Sequence, residues 1–150
     1  MTPKRRRIVQ AILYELFAIA LVGPALSSIF GQSVSSSLGL AAVLSTIALV
    51  WNYVFNTLFE AWEVRQVATG RSFGRRILHG AGFEGGLIVF LVPVMAWWVE
   101  SSLLTAFFAN LGLLVFFFFY AIAFTWMFDA VFGPPASAAP RPKGVAAPHL

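Results

Sequence analysis

Residues 76–86 read RILHGAGFEGG and place a carboxyl group, Glu84, eight residues inside a run that is otherwise apolar as far as Trp98. The same phrase occurs once earlier, at residues 7–15, as RIVQAILYE. Arg7 aligns with Arg76, Ile8 with Ile77, Gln10 with His79, Tyr14 with Phe83 and Glu15 with Glu84, an offset of 76 − 7 = 69. The register persists without gaps: Pro24 with Pro93, Trp51 with Tyr120, Phe55 with Phe124, Asn56 with Thr125, Phe59 with Phe128 and Glu60 with Asp129. Agreement at so many sites, both acids included, points to a duplicated two-helix unit.

The chain has 150 residues, 59% of them hydrophobic and only 11% charged, with a mean hydropathy of +0.83. A soluble domain of this length has too little interior to hide that much apolar surface, so the fold class is all-α integral membrane. At roughly 20 residues per span, the length suits four transmembrane helices. Apolar runs cover about residues 8–30, 38–59, 77–99 and 103–128. This gives a first transmembrane pair in 1–69 and a second in 70–132. Residues 133–150, rich in proline and alanine without periodicity, read as a disordered cytoplasmic tail. With an even number of spans in each unit, both copies enter from the same side, as parallel repeats about an axis along the membrane normal.

There is no cysteine, which excludes disulfides and thiolate metal sites. The net charge of +4 suggests nucleic acid only until its location is considered. All ten lysines and arginines lie in the leader, in the 65–76 loop or in the tail, and the 31–37 and 100–102 turns have none. That distribution predicts both termini and the central loop in the cytoplasm, with no nucleic-acid partner. The basic leader and following apolar run also resemble a signal peptide, but the run is too long, it contains Glu15, and its copy recurs in mid-chain.

Eight residues from their arginines, Glu15 and Glu84 lie roughly 12 Å along their helices, well inside a hydrocarbon core ~30 Å thick. A carboxylate facing lipid there costs about 2.5 kcal/mol or more, so both are expected to face the bundle interior or a wet cavity. Burial disfavours a bare charge, so a carboxyl at that depth is suited to exchanging a proton for a cation. The alternative is a protonated acid that only bonds between helices. Glu84 fits that alternative better, because Gly82 and Gly86 form a small-residue face for close packing, which a second copy of the chain could use to make a homodimer. Glu15 has more room, beside Tyr14.

Asn52, Asn56 and Glu60 share one face of the second span, and Glu15 is a sensible partner for the two amides. The fourth span carries Ala121, Thr125 and Asp129 at the equivalent positions. Trp51, Tyr120 and Trp126 could line a site for a flat organic cation or simply fill lipid contacts. Glu60 and Asp129, at the cytoplasmic ends, could pair with loop arginines or touch substrate. His79, one turn from Arg76, reads as a packed, hydrogen-bonded residue. No metal site and no cofactor are expected.

The segments RILHGAGFE, WNYVFNTLFE and YAIAFTWMFD resemble the motif set of the proteobacterial antimicrobial compound efflux (PACE) family, over residues 7–129. The resemblance implies inner-membrane efflux of cationic biocides such as chlorhexidine, or of diamines, by proton antiport. It also implies that proton coupling falls on Glu15. Gln10 departs from the family's usual histidine and cannot titrate, whereas His79 keeps it. On the residues alone, a membrane scaffold or passive cation pore stays open. An intramembrane enzyme has no nucleophile–base pair to support it.

Overall fold

The computed structural model describes residues 2–66 and 72–133. The tail from residue 134 onward and the loop position Gly70 lie outside the described residues. Four helices follow in order: α1 (Pro3–Phe30), α2 (Val34–Val64), α3 (Phe73–Trp98) and α4 (Leu103–Phe132). All four are long and apolar enough to cross a membrane.

The helices outrun the apolar stretches that predict them. α1 begins in the basic leader, α2 begins at Val34 within the expected turn, and α3 takes in the last part of the expected loop. Hydropathy marks where lipid ends, but a helix ends only where its backbone is capped or broken. The caps explain the true starts. Thr2, Ser33, Ser72 and Ser102 each accept from the amide three residues on, a contact worth ~1 kcal/mol per helix. Ser33 and Ser102 are themselves 69 apart. So are Gly31 and Glu100, which turn the chain out of α1 and α3 with φ of 65° and 52°. Glycine takes that left-handed conformation freely, whereas Glu100 adopts it against the steric cost of a Cβ.

Helix backbones approach closely in chain order, α1 to α2, α2 to α3 and α3 to α4. α4 and α1 complete the ring through side chains: Tyr120 with Tyr14 and Arg6 with Asp129. The Arg6–Asp129 pair sets the start of α1 and the end of α4 at one end of the bundle. A cluster of buried side chains, including Leu26, Leu40 and Met95, fills the opposite end, near the two short turns. The outer surface is greasy, with Leu104, Phe118 and Trp126 each more than half exposed, as spans bathed in lipid require.

Candidate functional site

A cavity of about 320 Å³ lies beneath that cluster and is lined from all four helices. Its walls pair across the repeat. Tyr14 and Phe83, Glu15 and Glu84, Ala18 and Leu87, Val22 and Leu91 line it from α1 and α3. Ala41 and Asn110, Leu44 and Leu113, Ser45 and Leu114, Ala48 and Phe117 do so from α2 and α4. Every pair is 69 apart. Only Leu49 and Asn52 line the wall without their counterparts. The cavity therefore sits on the pseudo-two-fold axis, between the repeats, where substrate sites of duplicated transporters are built.

The two acids converge here, Glu84 as well as Glu15. Neither makes a hydrogen bond or ion pair among the described residues. Glu84 is thus not the packed, bonded carboxyl that its glycine-rich surroundings suggest. Those glycines serve α2 instead. A Cβ at Gly86 would lie 2.0 Å from the Trp51 ring, and one at Gly82 would lie 3.1 Å from Phe55. The face expected to receive a second copy is filled from within the chain.

The backbone beside each acid is held by an aromatic donor. The Trp51 indole Nε1–H donates to the Phe83 carbonyl at 2.9 Å, and the Tyr120 hydroxyl donates to the Tyr14 carbonyl at 2.7 Å. These are one bond in two copies, since Trp51 aligns with Tyr120 and Phe83 with Tyr14. The surrounding rings follow the same symmetry. Phe55 meets Phe83 at 5.8 Å between centroids, and Phe124 meets Tyr14 at 5.2 Å. Each acid is carried on a helix turn pinned by the neighbouring repeat.

Several expected residues lie elsewhere. Asn56 does not reach Glu15: its Oδ1 accepts from the His79 Nε2 at 2.9 Å, while its amide nitrogen bonds back to Asn52. The polar stripe of α2 is turned toward α3 rather than α1, which is why the expected partner fails. Asn52 still lines the cavity, at the end of this His79–Asn56–Asn52 chain. Trp51 and His79 stand behind the wall rather than on it. Trp126 is 73% exposed and faces away from the bundle. Arg76 and Glu60 are exposed near the ends of α3 and α2. Asp129 pairs with Arg6 of the leader rather than with a loop arginine, and Arg6 also lies over the Phe128 ring at 5.0 Å. Gln10, where the family usually has histidine, accepts from Arg6 at 3.4 Å.

Sequence reasoning passed over Asn110. It is 5% exposed, lines the cavity and makes no hydrogen bond among the described residues. Its amide is therefore left free to bond to whatever enters the cavity. The signal was present as a lone asparagine in the apolar run from residue 103. Among the described residues, no group of three histidines or acids is placed to hold a metal.

Comparison with known proteins accounts for this arrangement. The profile of a family described as chlorhexidine efflux transporters matches the chain twice, at residues 2–65 and 71–134. The chain belongs to that family. The two matches begin 71 − 2 = 69 residues apart, the offset of the repeat. This PACE-family transporter is also 43% identical to a short-chain diamines transporter of Vibrio parahaemolyticus over 129 residues, 85% of this chain and 91% of the relative. Short-chain diamines transporters of Acinetobacter baumannii and Acinetobacter baylyi are each 33% identical to it. They cover 93% and 87% of this chain, and 98% and 92% of their own lengths. No solved structure matches. These relatives are transporters, and this membrane protein is a member of a transporter family rather than an enzyme.

Proposed function

We propose that the protein exports organic cations, short-chain diamines and chlorhexidine-like biocides among them, in exchange for protons. The observation that carries this reading is Glu15, a carboxyl without a hydrogen-bond or ion-pair partner among the described residues, on the wall of a cavity lined from all four apolar helices. Protonated, it is neutral and tolerable there; deprotonated, it needs a cation. One carboxyl that cannot hold both ligands at once links their movements. The relatives are short-chain diamines transporters, which supports the choice of substrate. At about 320 Å³, the cavity is at the lower end of the ~300–1,000 Å³ typical of small-molecule sites. A short diamine fits that volume as it stands; a long biguanide requires the walls to move.

In this reading the membrane is the bacterial inner membrane and both termini are cytoplasmic, because the basic residues of the sequence lie only in the leader, the 65–76 loop and the tail. A reporter active only in the cytoplasm is then silent when fused at Gln32. The functional test is transport by purified protein in proteoliposomes. A pH gradient should drive the diamine uphill against proton flow, and an uncoupler should abolish it. Uphill movement that survives the uncoupler, or movement only down the cation's own gradient, would overturn the exchange and leave a passive pore.

A further inference from the structure

Two acids in one cavity pose a problem of charge. A monocation held at Glu15 leaves Glu84 facing apolar walls, where only a proton can neutralise it. A linear dication neutralises both. The cavity is matched to such a molecule in symmetry, because an α,ω-diamine has two equivalent ends and the two carboxyls are equivalent positions of a duplicated unit. Most of the remaining lining is apolar, and it includes the repeat counterparts Leu44 and Leu113. Such a lining suits a methylene chain.

Asn110 gives an independent sign of a ligand. It is buried, lines the same cavity and has no hydrogen-bond partner among the described residues, while its counterpart Ala41 has nothing to offer. Its side-chain oxygen is an acceptor awaiting an N–H donor. The acids accept only when ionised, and an ammonium group donates to both kinds of oxygen.

We propose that Glu84 is a second cation site, so that a linear diamine lies across the pseudo-two-fold axis with one ammonium group on each repeat's acid and Asn110 accepting from one of them. This rests on Glu15 exchanging a proton for a cation and adds that Glu84 does the same. Each ammonium group displaces one proton, so a diamine exchanges for two protons and a monoamine for one. Charge balances in both cases.

The test is calorimetry on the full-length protein in lipid nanodiscs, with pentane-1,5-diamine and pentylamine. Two buffers of different ionisation enthalpy, at the pH of maximal release, give the protons released per ligand. The wild type is expected to prefer the diamine roughly tenfold or more and to release two protons for it but one for the monoamine. Glu84→Gln, which keeps the size of the side chain, should collapse the preference and reduce release by the diamine to one proton. Glu84→Asp keeps a carboxyl and should retain release of two protons; its failure to do so counts against the proposal even if Glu84→Gln folds poorly. An undiminished diamine preference in Glu84→Gln overturns it. Release of one proton by both amines, abolished by Glu15→Gln, leaves the Glu15 reading intact and overturns only the Glu84 site. No release with either amine overturns both.

Discussion

The two seams between the repeats began as copies and have diverged. At the α2–α3 seam, the Trp51 ring fills the space at Gly86 and Phe55 that at Gly82, and the helix backbones come close. At the α4–α1 seam those two registers hold Phe17 and Leu13, and the helices meet through the Tyr120–Tyr14 bond, the neighbouring rings and the Arg6–Asp129 pair. The aromatic bond beside each acid is kept in both. What differs is how much else holds the seam shut. A duplicated unit supplies two equivalent acids, and changes at two glycine positions give one side of the cavity a packed wall and the other a wall held by side-chain contacts.

This contrast can be broken most sharply at residue 86. Gly86→Leu drives a branched side chain into the Trp51 ring and should cost ~1–3 kcal/mol or more of stability, as overpacking does in cores. Phe17→Leu, the matching change at the other seam, should stay within ~0.5 kcal/mol. Thermal unfolding of the purified variants measures both, and equal costs would remove the distinction between the seams. The next effect is smaller. Asp129→Asn removes the ion pair with Arg6 while keeping the side chain's size. The pair is partly exposed, at 14% and 32% for the two side chains, so the expected cost is about 1 kcal/mol. Its readout is local. Hydrogen exchange should rise at the start of α1 and the end of α4 and stay unchanged along α2 and α3. Uniform acceleration across all four helices would mean that the pair supports the whole fold rather than one seam.

The architecture was legible because it depends on signals written along the chain. Run lengths give the four spans, the 69-residue register gives the repeat, and depth from the arginines puts both acids inside the membrane. Partners across helices were not legible. They depend on how each helix is rotated about its own axis, and a span apolar on every side, like α4, carries little signal for that rotation. Depth alone therefore pairs Asn56 with Glu15, whereas the rotation of α2 sets it against His79. Trp126 was considered for the lining and faces outward. The glycines around Glu84 leave a packing role and a functional one both open; in the structure they lie under Trp51 and Phe55 while the carboxyl lines the cavity with Glu15. The helices start several residues before the apolar runs, at the caps Thr2, Ser33 and Ser72. The serine or threonine at each of those positions was a usable sign.

The measurement closest to the centre of the account is proton-driven transport of a diamine by Glu15→Gln in proteoliposomes, at matched protein content and with Glu15→Asp beside it. Glutamine keeps the size and hydrogen bonding of the side chain but can neither release a proton nor neutralise a cation. Glu15→Gln is expected to insert and fold normally and to show no uphill transport. Glu15→Asp, whose shorter side chain draws the charge back by about one methylene, should keep partial activity with an altered pH dependence. Transport by Glu15→Gln at the wild-type rate would contradict the claim that this carboxyl is where protons and cations compete.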